Sequence, residues 1–261
     1  MEIKNSTILI TGGSSGIGLE LVKQLIEKGA AAILITGRDV SRLEQVKRQY
    51  PKIHIFQSDA SDPKAIQQLY ETVTRQFPEL NVIINNAGIM RNINLLDTGL
   101  DQRDITAEID INLSAAIRMV QQFLPHLLTR PSAAIVNVSS ALAFVPFPVS
   151  PVYSAAKAGL HAYTRVLRLQ LKATHIKVFE LIPPSTETPM QAAIAGLVDS
   201  SQNMAADKMV NIAIKGLLND DLEIKPGLSK VLKLMSRLMP EIFLNYLDRT
   251  LQKAQAKNLN S

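Results

Sequence analysis

Short β-branched apolar runs alternate along this chain with longer segments of helical period. The runs fall at 8–11, 32–36, 53–56, 82–85, 134–138 and 177–182. None shows clean polar alternation, as expected of strands buried on both faces. Helical periodicity occupies 17–28, 40–49, 63–77, 102–129 and 152–173. Strand–helix alternation of this kind implies crossover units and a parallel sheet covered on both sides. The expected fold is α/β: a doubly wound parallel sheet of about seven strands, the last a short one at 222–225. After residue 184 the pattern loosens, and 229–257 reads as one or two further helices. No stretch reads as an interdomain linker, an internal repeat or a low-complexity tract.

The longest uncharged stretch lies between Arg130 and Lys157 and is long enough to suggest a membrane span. Pro131, Pro146, Pro148 and Pro151 interrupt it, together with Asn137, Ser139 and Ser140, so it reads as a strand, a loop and a helix start. The apolar run at 7–10 is too short for a signal peptide. A cytoplasmic protein is the expectation. With 261 residues, 46% of them apolar and 20% charged, the chain has material for a sizeable core. The absence of cysteine excludes disulfides, a catalytic thiol and thiolate metal sites. His54, His126, His161 and His175 are scattered without zinc spacing and read as structural or surface residues. There is no H-E-x-x-H and no G-x-S-x-G. Basic residues are not interleaved with aromatics, so neither a metal nor a nucleic-acid partner is expected.

The first strand runs into Thr11-Gly12-Gly13-Ser14-Ser15-Gly16-Ile17-Gly18 and then a helix. Glycines allow a tight turn and close approach of backbone N–H groups to a pyrophosphate, and the helix N-terminus adds partial positive charge. The spacing is G-x-x-x-G-x-G, not the common G-x-G-x-x-G, and a plain strand–helix connection remains the alternative. The second strand ends at Gly37-Arg38-Asp39. A guanidinium there suits a ribose 2′-phosphate. Asp39 could meet a ribose hydroxyl or cap the next helix, and capping is the preferred reading.

Further motifs follow in order: Asp59 after the third strand, Asn85-Asn86-Ala87-Gly88 after the fourth, Asn112 in a long helix, Ser139-Ser140 after the fifth strand, and Tyr153-Ser154-Ala155-Ala156-Lys157. From about residue 6 to residue 190 the chain resembles the short-chain dehydrogenases/reductases. Around Leu142-Ala143-Phe144-Val145-Pro146 and in the tail it is similar to the oxidoreductase branch found in bacterial D-alanylation operons. The resemblance implies a dinucleotide held by Gly12, Ser14, Ser15, Gly16, Ile17 and Gly18, by Arg38, by Asp59 and Ala60 at the adenine, and by Asn86, Ala87 and Gly88. Asn86 would flank the adenosine ribose and support the central sheet. Tyr153 would be the acid/base, Lys157 its helper, Ser140 the group positioning the substrate oxygen, and Asn112 the end of a proton relay. Tyr153 and Lys157 would also touch the cofactor. Ser140 is preferred over Ser139 because it lies 13 residues before Tyr153. The family's Pro-Gly after the sixth strand is here Pro183-Pro184, which puts the loop geometry in question. Thr186 and Thr188 remain as cofactor contacts, Thr188 at the nicotinamide carboxamide or the pyrophosphate.

The residues carry the chemistry independently. Tyr153 and Lys157 lie four apart on a predicted helix and share a face. A free phenol titrates near pH ~10, and an adjacent ammonium is expected to lower that value. Ordinary helix surface is the alternative for such a pair. The expected activity is an NADP(H)-dependent interconversion of a small-molecule alcohol and carbonyl, with NAD(H) as the other candidate cofactor. Residues 1–190 would form the dinucleotide-binding and catalytic core, and 191–261 the substrate loop and C-terminal helices of the same domain. The rivals are a silent nucleotide-sensing or scaffold protein of this fold and a peripheral membrane protein. The apolar residues of 189–230 suggest a cap, or else ordinary core. The long helices 102–129 and 152–173 suggest a homodimer, with a tetramer as the alternative.

Charge is concentrated at one end. From Lys225 to Ser261 seven basic residues face two acidic ones, a net +5 that equals the whole chain's. Pro240 suits a helix start, and Ile242, Phe243, Tyr246, Leu247, Leu251 and Ala254 form an apolar stripe beyond it. Upstream, Val231, Leu232, Leu234, Met235, Leu238 and Met239 form a second apolar patch. No membrane span is present. Association of residues 225–261 with an anionic membrane surface is one reading; packing over the substrate cleft or a partner subunit is the preferred one.

Overall fold

The computed structural model describes residues 1–194, 196, 201, 203–239, 241, 244–245, 248–249 and 251–252, without the side chains of 102 and 103. Seven parallel strands form one sheet: β1 Thr7–Thr11, β2 Ala32–Gly37, β3 His54–Gln57, β4 Leu80–Asn85, β5 Ala133–Val138, β6 Ile176–Leu181 and β7 Glu223–Ile224. Their spatial order is β3-β2-β1-β4-β5-β6-β7. The chain winds outward from β1 to β3, then returns to β4 on the other side of β1. Such a reversal leaves a crevice beyond the carboxyl ends of the strands, where ligands bind in sheets of this type.

Alternating residues of β1 feed two cores. Ile8 and Ile10 join one with Leu21, Val22 and Leu25 of α1 (Gly16–Glu27). Leu9 joins the other, with Leu69 and Val73 of α3 (Pro63–Gln76). All three β1 residues are completely buried, which is why the strand carries no polar alternation. Two helices begin on aspartate caps. Asp39 accepts 3.1 Å from Arg42 N–H at the start of α2 (Val40–Gln49), and Asp62 accepts 2.9 Å from Lys64 N–H ahead of Pro63. Asp39 is thus spent on capping and on an ion pair with Arg42 at 3.3 Å.

One element differs from the sequence expectation. The helix expected over 102–129 is broken into α4 (Gln102–Ile105), α5 (Ala107–Ile109), a π-helical turn Asp110–Ser114 and α6 (Ala115–Leu128). Hydrophobic period is blind to such a break, because the apolar positions continue through it. The region after residue 184 holds a 3₁₀ segment, Pro189–Ile194, and a helix, α8 (Ala206–Leu218). The helix is core: Met209, Val210, Ala213, Ile214 and Leu217 are buried in the cluster that contains α1. The 3₁₀ segment reaches the crevice through Pro189, Met190, Gln191 and Ile194. At the C-terminus, α9 spans Ser229–Leu238. Residues 241, 244–245, 248–249 and 251–252 are also helical. Pro240, Ile242, Phe243, Tyr246, Leu247 and Ala254 lie outside the described residues. Among the described residues no helix is long and apolar enough to cross a membrane.

Candidate active site

The crevice is built first from the glycine turn. Gly12 and Gly16 have φ of +66° and +51°, a region other residues rarely enter. A Cβ on Gly18 would stand 2.2 Å from the Gly12 carbonyl oxygen, so the turn closes only around glycine. Ser15 is extended at the start of α1 and makes no side-chain capping bond. The first-turn N–H groups therefore face the crevice without a cap, the arrangement that receives anions. The turn is braced from β4. Asn86 donates from Nδ2 to the carbonyls of Thr11 and Gly12 at 3.0 and 3.1 Å. Thr11 Oγ1 in turn accepts from the backbone N–H groups of Asn86 and Ala87, both at 3.0 Å.

The second part is a polar cluster at the end of β5. Tyr153 and Lys157 sit one turn apart in α7 (Pro151–Gln170), 7% and 4% exposed. The Tyr153 hydroxyl shares a hydrogen bond with the Ser140 side chain. Lys157 donates to the Val138 carbonyl at 2.8 Å, and its Nζ stands 5.6 Å from the Tyr153 ring centre. Ser139 points away from Ser140 and donates to Glu180 at 2.6 Å. Asn112 lies in the π-helical turn, where its side chain accepts from Ile89 N–H at 2.9 Å and donates to the Ile89 carbonyl at 2.8 Å. A Cβ on Gly88 would stand 2.7 Å from Asn112 Oδ1 and 3.7 Å from Lys157 Nζ. Glycine at 88 thus lets Asn112 and Lys157 approach one strand end together.

Burial dominates the electrostatics. It pushes the Tyr153 phenol up to about 12, against the Ser140 hydrogen bond and with reinforcement from Glu108. The expected lowering is therefore corrected: the Lys157 ammonium stands 5.6 Å from the ring centre, and burial with the Glu108 charge raises the phenol. Burial also pulls Lys157 down to about 8, opposed by the Glu180 carboxylate. Glu108, fully buried, accepts from Arg91 N–H at 2.8 Å, and burial raises its carboxyl against the pull of Arg91.

A single cavity of about 370 Å³ joins both parts. Gly12, Ser15, Gly16, Ile17 and Asn86 line one end. Ala87, Gly88, Ser140, Tyr153 and Lys157 line its inner wall, and Thr186 and Thr188 the opposite side. Thr188 lies against the turn, 3.3 Å from where a Gly16 Cβ would be. Pro184 is accommodated: its carbonyl accepts from Thr186 Oγ1 at 2.8 Å, and Glu187 N–H and Met204 N–H tie the following loop to residues 204 and 185 at 2.9 Å each. Ser14, Gly18, Arg38, Asp59, Ala60 and Asn112 do not line this cavity. Ser14 Oγ lies near the end of β2, 3.5 Å from a Cβ built on Gly37. Arg38 is exposed just beyond β2. Burial raises the Asp59 carboxyl, but hydrogen bonds from Ser61 and the Arg38 charge more than compensate and hold it low. Ala60 instead lines a small cavity of about 10 Å³ beside Asn112.

The profile of the short chain dehydrogenase family matches residues 6–197. The chain belongs to that family. It is an oxidoreductase of the short-chain dehydrogenase fold. It is 44% identical over 189 residues to the uncharacterized oxidoreductase DltE of Bacillus subtilis (strain 168), covering 72% of this chain and 74% of that one. The fold is similar to a short chain dehydrogenase from Burkholderia cenocepacia J2315 in complex with NADP. There the TM-score is 0.82 at 22% identity, over 95% of this chain and 99% of that chain. A short-chain dehydrogenase from Sphingobium yanoikuyae in complex with NADPH aligns with a TM-score of 0.74 at 26% identity, over 84% and 87% of the two chains.

In this short-chain dehydrogenase the remaining cavity wall is mostly apolar, with Ser139, Ser185 and Gln191 as its polar members. Met90, Leu142, Val145 and Phe147 come from the loops after β4 and β5, Met190 and Ile194 from the 3₁₀ segment, and Leu232 from α9. Periodicity is silent about all of these but Leu232, because the others lie on loops and irregular turns. Leu251, from the described part of the tail, is 5% exposed and clusters with Met90, Phe147, Tyr153 and Ile194. The tail therefore packs beside the tyrosine. Val231, Leu234 and Leu238 of α9 face outward, 54–66% exposed. Leu251→Ala is expected to cost about 2 kcal/mol of stability, read as a lowered denaturant midpoint. An unchanged midpoint would remove Leu251 from the packed wall.

Proposed function

We propose that this dehydrogenase interconverts an uncharged, largely apolar carbonyl compound and its alcohol with NADP(H), NAD(H) being the alternative cofactor. The observation that carries the reading is the Ser140–Tyr153–Lys157 cluster, buried in the same cavity that opens onto the glycine turn. Among the described residues Lys157 is the only charged one lining that cavity, so the rest of the described wall offers no ionic partner for a charged substrate.

The residues present fit a dinucleotide. Gly12 and Gly16 keep side chains out of the cradle, and the uncapped start of α1 suits a pyrophosphate. Arg38 would take the ribose 2′-phosphate, since Asp39 is already spent on its cap and on Arg42. Asp59 and Ala60 would flank the adenine, and Thr186 and Thr188 the nicotinamide side. When bound, the cofactor supplies the hydride.

The protein's own residues handle the proton. A phenol held near 12 keeps its proton at neutral pH, which suits donation to a carbonyl oxygen in the reductive direction. Ser140, already hydrogen-bonded to Tyr153, would steady the developing alkoxide. Lys157, mainly charged at neutral pH, would stabilise the phenolate left behind. Asn112, anchored to the Ile89 backbone beside Lys157, would continue the relay by which Tyr153 is reprotonated.

Assembly as a homodimer through α6 and α7 is part of the proposal, a tetramer being the alternative. Leu128, Val166 and Leu169 on these helices are 45–71% exposed. Light scattering at micromolar concentration should return at least the dimer mass, and a monomer rejects it.

Tyr153→Phe should keep fold and NADPH affinity while losing about 10²- to 10⁴-fold in kcat; near-normal turnover would remove Tyr153 from the chemistry. Arg38→Ala should weaken NADPH binding about tenfold or more and leave NADH binding nearly unchanged, because one charge-assisted contact is lost. Wild type binding NADH as tightly as NADPH would refute the role of Arg38.

A further inference from the structure

Glu180, on β6, has no exposed surface, and none of the proton steps above employs it. Its carboxylate is held on two sides. Ser139 donates to Oε1 at 2.6 Å, and His161 Nδ1 lies 3.0 and 2.9 Å from Oε1 and Oε2. With the proton on Nδ1, the imidazole donates to the carboxylate. The His161 ring is itself fixed by the edge-on ring of Phe144, 5.0 Å away.

Both partners of Glu180 adjoin Lys157. Ser139 follows Val138, whose carbonyl accepts the Lys157 ammonium at 2.8 Å. His161 follows Lys157 by one turn of α7, so Tyr153, Lys157 and His161 rise along one helix face. Glu180 thus lies where the two elements that hold Lys157 meet.

The other groups around Glu180 leave it to this pair. β5 presents uncharged Asn137, in register with Glu180, and Ser139. On β7 the residue in register is Glu223, but that carboxylate is committed to Lys225 at 2.9 Å and to Lys233 of α9. Those lysines hold Glu223 ionised down to about 2 despite its burial, and it neutralises them in return. From α7 come Lys157 and His161, while the Arg168 guanidinium is bonded to the Val178 and Leu222 carbonyls at 3.0 and 2.9 Å. A buried ammonium with no opposite charge sheds its proton.

We propose that Glu180, oriented by Ser139 and His161, is a positioning residue that keeps Lys157 protonated and thereby sets the alkaline limit of the enzyme. The proposal rests on the reading of Lys157 as the partner of Tyr153. It is supported by the opposing influences on Lys157, where burial lowers its pKa to about 8 and Glu180 works against that fall.

The test removes the charge while keeping the shape. In Glu180→Gln the alkaline limb of kcat/KM for carbonyl reduction should move down by about one pH unit or more. Activity near pH 6 should stay close to wild type, and activity near pH 9 should fall about tenfold relative to it. Glu180→Met, which needs no hydrogen-bond partner, should move the limb the same way, and Glu180→Asp should restore it. A limb that stays in place in whichever neutral variant folds overturns the proposal. So does failure of both to fold, which would assign Glu180 to folding instead. A turnover-independent readout separates this idea from the proposed reaction. The ¹³Cε lysine resonance that disappears in Lys157→Gln should titrate at lower pH in Glu180→Gln than in wild type. If wild type turns over no carbonyl yet that resonance shifts, the reaction assignment fails and the charge coupling stands. If wild type is active and the resonance does not shift, the coupling is wrong and the reaction assignment stands.

Discussion

Thr11 and Asn86 tie the carboxyl ends of β1 and β4 together at the point where the sheet order reverses. Through the Thr11 hydroxyl, two backbone N–H groups of the β4 loop are satisfied; through the Asn86 amide, two carbonyls of the glycine turn are. Backbone groups leaving the middle of a parallel sheet have no strand partner and would otherwise be buried unpaired. This exchange fixes the glycine turn relative to Ala87 and Gly88. Gly88 in turn leaves the space in which Asn112 and Lys157 approach each other. The anion cradle and the proton-handling cluster are therefore placed by one set of hydrogen bonds.

Around that point the protein buries four ionisable groups: Glu108, Tyr153, Lys157 and Glu180. Burial is costly for a charge unless a partner or a hydrogen bond compensates. Each group meets the cost differently. Glu108 takes a backbone N–H and a nearby guanidinium, and its carboxyl is raised. Tyr153 keeps its proton. Lys157 donates a hydrogen bond to the Val138 carbonyl and is supported by the Glu180 charge. Glu180 takes a hydroxyl and an imidazole. The result is a phenol that holds its proton at neutral pH beside a buried ammonium.

The outer part of the cavity follows a different logic. Its walls come from the loops after β4 and β5, the 3₁₀ segment after β6, α9 and the tail, and the side chains are mostly apolar. None of these segments belongs to the sheet, so their sequences are free of the demands of strand pairing. Leu232 and Leu251 show that the basic C-terminal segment contributes apolar side chains to this region while Lys233, among its described lysines, stays at the rim. Lys233 illustrates the rim: it pairs with Glu223 and lies over the Phe144 ring.

Local pattern was enough for the strands, for α2 and for the Asp39 cap, because burial on both faces and helix starts leave marks within a few residues. The ordered motifs from Gly12 to Lys157 were legible for the same reason, each being a short run with its own chemistry. The break around Asn112 was not, since the π-helical turn keeps the apolar period while the Asn112 side chain bonds to Ile89, 23 residues away. The core role of α8 was also undecided, because the same Ala, Ile, Leu and Met content fits a lid or an interior until α1 packs against it. His161 could be placed on the face of Tyr153 and Lys157 by counting, but Glu180 comes from another strand, and only the register of β5 with β6 brings it to them. The direction of the Tyr153 shift was misjudged from sequence, since proximity to a lysine is a local fact whereas desolvation is the sum of everything folded around the ring.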